Sequence, residues 1–102
     1  MLHYILVKYA PGVNDPSALE RAVRTLFAGA SSIPGVHGVS VRSAAIRAAN
    51  RHDLMIVMDM EREALSSFDA SPIHQRWKAE FGRYIAQKAI FDCDAPPGGS
   101  FA

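Results

Sequence analysis

The sequence predicts one α+β domain whose elements follow in the order β-α-β-β-α-α-β. Runs of β-branched and alternating apolar residues occur at the start, in the middle and at the end of the chain. Between them, apolar residues recur at helical spacing, and Pro-Gly or Ser-Pro pairs mark boundaries. Two strand-helix-strand halves in this order form a four-stranded antiparallel sheet with its helices on one face.

The first strand is predicted over residues 2–9, where the sequence LHYILVKY is rich in β-branched and aromatic residues. Alternation places His3, Ile5, Val7 and Tyr9 on one face of this strand. The other face is also largely apolar, so the strand is expected to be buried on both sides.

The remaining elements follow from helix-start signals and from the spacing of apolar residues. Asn14 or Asp15 can cap the first helix, and Ser71 can cap the last one. The predicted elements are a helix over 16–30, a strand over 37–42, a loop over 43–51, a strand over 53–60, a short helix over 61–69, a long helix over 71–88 and a strand over 89–92.

The composition limits the classes of function. The chain has 102 residues, a net charge of +1 and no basic run, so a nucleic-acid partner is not expected. The single cysteine, Cys93, cannot form an intrachain disulfide. We find neither a signal-peptide pattern nor an apolar run of the roughly 20 residues that span a membrane. A cytoplasmic protein is therefore expected, with a domain over 1–94 and a flexible tail over 95–102.

The apolar character of both faces of the first and third strands predicts a homodimer. Helices cover only one face of such a sheet, and a bare apolar face requires a cover, for which a second copy is the simplest choice. The residues expected to be buried between the two sheets are Ile5, Val7, Met55 and Val57.

The chain resembles the stress-responsive A/B barrel domain family over residues 1–94. The resemblance depends on His3 in the first strand, the IPGV turn at 33–36, the segment SPIH at 71–74 and the ending IFD at 90–92. It implies a ferredoxin-like unit whose open sheet faces pair in a dimeric α+β barrel. A small inter-sheet cavity is then expected in the dimer.

A plant polyketide cyclase of this family closes a ring by aldol condensation without a metal or an organic cofactor. Two of its active-site histidines match His3 and His74, and the second has the catalytic role. Its substrate-orienting tyrosine falls at Phe68, and its third-strand histidine falls at Asp53. These departures argue against the same reaction in this chain, although a histidine pair with an added carboxylate remains.

His74, His3 and Asp53 are therefore the candidate catalytic residues. Histidine can take or give a proton near neutral pH, and Asp53 could fix a histidine tautomer. A structural role is the alternative, with His3 filling a sheet position and His74 satisfying a helix end. No metal-ligand spacing or cofactor motif is present, so neither is expected. The candidate ligand-binding residues are Ile5, Val7, Leu26, Met55, Val57, Phe68, Trp77 and Ile90.

The predicted function is the binding of a small apolar or aromatic molecule. If the protein is an enzyme, we expect cofactor-free proton transfer in a cyclisation, isomerisation or lyase step, with His74 as the acid and base. The alternative is a non-catalytic binding or structural module related to stress. The ligand itself cannot be deduced from the chain, because the fold hosts many functions.

Overall fold

The computed structural model describes residues 1–94 as a four-stranded antiparallel sheet with helices packed on one face. This confirms the predicted α+β class. The expected tail at 95–102 lies outside the described residues. The elements are β1 (Leu2–Tyr9), α1 (Pro16–Ala28), β2 (Val36–Ser43), β3 (Leu54–Met60), α2 (Leu65–Asp69), α3 (Pro72–Arg76) and β4 (Ile85–Cys93). The strand order across the sheet is β2-β3-β1-β4.

The helix starts follow the capping signals of the sequence. At α1, the Asp15 carboxylate accepts a hydrogen bond of 3.0 Å from the Ala18 amide. At α3, the Ser71 hydroxyl accepts one of 3.2 Å from the His74 amide. Each capping residue is followed by proline, whose fixed φ suits the first helical position.

The predicted long helix over 71–88 and the short strand over 89–92 are wrong at their shared boundary. The α-helix ends at Arg76, a π-helical turn spans Trp77–Phe81, and β4 already begins at Ile85. Locally, Ala, Gln and Lys in 86–88 favour a helix. Pairing with β1 overrides that preference, because β4 runs beside β1 from Tyr9 back to Leu2 and satisfies its backbone groups.

The two faces of the sheet have different surroundings. His3, Ile5 and Val7 lie on the helix-covered face and are buried. Within residues 1–94 nothing covers the other face, which carries the apolar residues Leu2, Tyr4, Leu6, Met55, Val57 and Phe91. The expectation that Ile5 and Val7 share a face with Met55 and Val57 is wrong, because the register pairs Ile5 with Ile56 on the covered side.

Candidate functional site

A cavity of about 230 Å³ lies between the β1–β4 pair and the segment that runs from α2 through the π-helical turn. It lies on the helix-covered face of the sheet, within a single chain. The expected inter-sheet position of the site is therefore corrected. The lining residues are His3, Ile5, Leu65, Asp69, His74, Trp77, Lys88, Ile90 and Asp92.

His3 and Asp92 form a hydrogen-bonded pair at one end of this cavity. The distance from His3 Nδ1 to Asp92 Oδ1 is 2.5 Å, and His3 is only 5% exposed. An ionised carboxylate can only accept a hydrogen bond, so Nδ1 carries the proton and Nε2 carries a lone pair in the neutral ring. Residues 1–94 contain no buried side-chain nitrogen without a partner. His3 Nε2 has no hydrogen-bond partner among these residues, so it is not a fully buried atom, and His3 lines the cavity.

His74 is held by the backbone in the same tautomer. Its Nδ1 lies 3.0 Å from the Asp69 carbonyl oxygen, which can only accept, so Nδ1 donates, and in the neutral ring Nε2 carries the lone pair. The cap from Ser71 holds the backbone of His74 at the start of α3. His74 is half-buried and lines the cavity together with His3.

Phe68 supports both imidazole rings from behind. Its ring centroid is 5.9 Å from that of His3 and 5.1 Å from that of His74, both in edge-on geometry. Phe68 is fully buried and also packs against Phe27. Phe68 was expected to contact the ligand, but it lies in the core and orients the two histidines.

The ladder between β1 and β4 brings two unpredicted charged residues to the cavity. Its register pairs His3 with Asp92, Ile5 with Ile90 and Val7 with Lys88. Asp92 belongs to the IFD ending, and its even-numbered spacing from Ile90 and Lys88 would have indicated a shared face. The sequence does not predict this shared face, because the predicted helix extends to Lys88 and leaves only 89–92 as a strand.

Asp53 is not close to the histidines. Its carboxylate accepts a hydrogen bond of 2.8 Å from the Tyr9 amide, and its other oxygen lies 3.7 Å from Arg47. The next residue, Leu54, pairs with Val7, whereas His3 pairs with Met58. Five strand positions, or about 16 Å, therefore separate Asp53 from the level of His3. The carboxylate beside His3 is therefore that of Asp92 and not that of the predicted Asp53.

The predicted ligand-binding residues fall into three groups. Ile5, Trp77 and Ile90 line the cavity. Val7, Leu26 and Phe68 are core residues, because the helices cover them closely. Met55 and Val57 lie on the opposite, uncovered face of the sheet and cannot reach this cavity.

A second polar cluster surrounds Glu20, which is 4% exposed. Its carboxylate accepts hydrogen bonds from Tyr9 at 2.5 Å, Ser43 at 2.5 Å and Arg47 at 2.8 Å. Burial and the neighbouring Glu20 charge raise the pKa of Tyr9 far above its usual range, so the phenol stays a donor. The cluster ties the β2–β3 loop, through Arg47, to α1 and β1.

The chemistry available at the cavity is proton transfer. Two imidazoles, each with Nδ1 engaged, line the same small space, and at Nε2 a neutral ring can accept a proton and a protonated ring can donate one. Within residues 1–94, no group of three or more His, Cys, Asp or Glu side chains is arranged to hold a metal ion.

The order of elements and the antiparallel sheet define a ferredoxin-like α+β protein. No protein-family model matches the chain, and no curated protein is significantly similar in sequence. None of the helices formed by residues 1–94 has the length and apolarity needed to cross a bilayer.

Solved structures support the fold. A dimeric ferredoxin-like protein of unknown function from Thermobifida fusca has a TM-score of 0.74 and 17% identity, covering 88% of this chain and 85% of that one. A similar dimeric protein from Jannaschia sp. CCS1 has a TM-score of 0.75 and 13% identity, covering 92% and 97%. An antibiotic biosynthesis monooxygenase-like protein from Nitrosomonas europaea has a TM-score of 0.69 and 10% identity, covering 90% and 96%. At these identities the similarity establishes the fold alone.

Proposed function

We propose that the protein binds a small, largely apolar or aromatic molecule in the His3–His74 cavity and moves a proton at an activated carbon of that molecule without a cofactor. The observation that supports this proposal is that both imidazoles have Nδ1 engaged and line one cavity, which leaves Nε2 as the reactive nitrogen. Two histidines in this state are suited to a cyclisation, isomerisation or lyase step.

In the proposed step, His3 is the base. Its Nε2 takes a proton from a carbon beside a carbonyl group, and the C–H electron pair moves onto the carbonyl oxygen to give an enolate. The Asp92 carboxylate offsets the positive charge that forms on the ring. Where the carbonyl is conjugated to a C=C bond, the enolate takes a proton from a protonated His74 at its γ-carbon, which completes an isomerisation. Where the β-carbon carries a leaving group, that group departs with the bonding electron pair and takes a proton from His74, which completes a lyase step. This step makes His3 the base, whereas the sequence predicts His74 as the acid and base.

We further propose a cytoplasmic homodimer of the stress-responsive A/B barrel type, joined through the uncovered sheet face. Phe91, which is 60% exposed, and the neighbouring Tyr4 and Val57 give this face an apolar centre. Burying one such side chain contributes on the order of 1.5–3 kcal/mol. The dimer is not required to complete the cavity, which lies within one protomer.

Deuterium exchange tests the proposed proton transfer without knowledge of the natural substrate. Phenylacetone is a small aromatic ketone with an activated CH₂ group, and its exchange in D₂O can be followed by proton NMR. The protein should accelerate this exchange, and His3→Gln or His74→Gln should reduce the acceleration by about 10²–10⁴-fold. The exposed His37, which does not line the cavity, provides the matched control His37→Gln.

The same experiment separates the enzyme from the alternative binding module. Phenylacetone that shifts the NMR signals of Ile5 and Ile90 but exchanges at the rate of buffer would favour non-catalytic binding. Acceleration that survives loss of both histidines would refute the proposed chemistry.

A further inference from the structure

We propose that Lys88 anchors the ligand in this cavity and that the ligand carries one carboxylate on a short apolar or aromatic body. This inference deepens the proposed function, on which it rests, by naming the class of ligand. It concerns binding and does not depend on which histidine acts as the base.

The β1–β4 ladder divides the cavity wall into three levels. His3 with Asp92 forms the polar level and Ile5 with Ile90 the apolar level, and Lys88, whose partner Val7 lies in the core, forms the far end. Residues two apart on a strand are separated by about 6.6 Å, so Lys88 and Asp92 lie about 13 Å apart along β4. The long lysine side chain can close part of this distance.

The positive and negative side chains of the cavity lie at opposite ends of it along β4. Asp92 bonds to His3, and Asp69 holds His74 through its backbone carbonyl, so both acidic residues lie at the imidazole end. Lys88 lines the other end and forms no ion pair within residues 1–94. An anionic group is attracted to Lys88 and repelled by the two carboxylates, so a molecule with one such group binds in one orientation.

The walls between these two ends are apolar; Ile5 and Trp77 are buried, whereas Ile90 is 50% exposed at the open side of the cavity. Ile5 and Ile90 lie on the sheet side, and Trp77 faces them from the π-helical turn. Trp77 is 2% exposed and is braced edge-on by Phe27, with ring centroids 5.3 Å apart. A volume of about 230 Å³ is below the usual range for drug-sized ligands. The ligand is therefore a small carboxylic acid whose reacting carbon lies near the imidazoles.

A pair of isosteric probes tests this proposal by binding alone. 3-Phenylpropanoate and 3-phenylpropanamide have the same number of heavy atoms and differ in charge. Titration of the full chain, followed by NMR, should show at least about tenfold tighter binding of the carboxylate, as expected for one charge-assisted hydrogen bond. This preference should shrink as salt is added, because Lys88 is exposed.

Lys88→Gln should remove the preference and make the two affinities equal, whereas Lys88→Arg should retain it. Lys78→Gln, which alters an exposed lysine outside the cavity, should also retain it. Equal affinities in the wild type, or a preference that survives Lys88→Gln, would overturn the proposal while leaving the cavity as a binding site. If neither probe shifts the signals of Ile5 or Ile90, the anchor and the proposed cavity function both fail.

Discussion

Replacing Glu20 by Gln tests whether the buried polar cluster is a stabilising unit. Glu20 lies on the buried face of α1, and its carboxylate accepts hydrogen bonds from Tyr9, Ser43 and Arg47. Gln keeps the shape and one acceptor oxygen, but it turns an NH₂ group toward at least one of the three donors. A donor that loses its acceptor in a buried site carries the cost of its desolvation.

The magnitude follows from these bonds. A hydrogen bond to a charged group contributes about 1.5–3 kcal/mol, and loss of one partner of a buried ion pair costs about 3–5 kcal/mol. Arg47 is 42% exposed, so water compensates part of its loss. We therefore expect the free energy of unfolding to fall by about 2–4 kcal/mol. For a domain of this size, that lowers the melting temperature by roughly 10–30 °C.

The loss should depend on pH in a defined direction. Burial alone would raise the pKa of Glu20, but the hydrogen bonds from Ser43, Tyr9 and Arg47 outweigh it and hold the pKa below the ordinary value of 4.5. A carboxyl whose folded-state pKa is lowered stabilises the fold fully above its unfolded pKa. This stabilisation is lost as the pH falls through the folded-state value. The difference in the free energy of unfolding between the wild type and Glu20→Gln is therefore largest at pH 7 and becomes smaller in acid.

Urea unfolding of both proteins between neutral pH and pH 3 measures this difference. Glu80→Gln is the matched control, because Glu80 is an exposed carboxylate paired with Arg76 on the same turn of chain. The Glu80→Gln control should unfold at the same urea concentration as the wild type. A Glu20→Gln midpoint indistinguishable from the wild type at pH 7, or a difference that stays constant in acid, would refute the reasoning.

Two further predictions concern the uncovered sheet face and the α3 cap. Val57→Asp should give a folded monomer, because Val57 lies on the uncovered face of the sheet. Sedimentation measures the oligomeric state of both proteins. A monomeric wild type at micromolar concentration, or a dimeric variant, would contradict the proposed interface. Ser71→Ala should lower the free energy of unfolding by about 1 kcal/mol and speed hydrogen exchange at the His74 amide, because that amide loses its capping hydroxyl. Ser71→Thr should restore both properties. Urea unfolding measures the first effect, and amide-exchange spectra measure the second. Unchanged exchange at His74 in the alanine variant would count against the capping argument.

The parts of the fold that were predictable carry strong local signals. β1 and β3 are largely apolar runs of eight and seven residues, and the caps at Asp15 and Ser71 mark their helices directly. The boundary before β4 was not predictable in this way. Residues 86–88 have helical propensity, and their strand conformation depends on pairing with β1, which is distant in sequence.

The candidate site shows the same division. The histidines His3 and His74 were identified by residue type and by family resemblance, and they do line one cavity. The sequence favours Asp53 as the carboxylate because it matches a third-strand histidine of the resembling cyclase and shares a strand face with Met55 and Val57, but register decides which residue lies beside His3. The β1–β4 register places Asp92 there and brings Lys88 to the same wall.

The central claim is that His3 and His74 share one ligand cavity through their Nε2 atoms, and nitrogen-15 NMR of the histidine rings tests it most directly. At a pH where the rings are neutral, long-range proton–nitrogen spectra should show both rings with the proton on Nδ1. Addition of 3-phenylpropanoate should then shift Nε2 of both rings. The rings of His37 and His52 lie outside this cavity and serve as internal controls.

The account predicts shifts at His3 and His74 that saturate with a single affinity, while His37 and His52 remain unchanged. Protonated Nε2 in either neutral ring would contradict the hydrogen bonds to Asp92 and to the Asp69 carbonyl. Ligand-induced shifts at only one of the two rings, or at neither, would contradict the shared cavity.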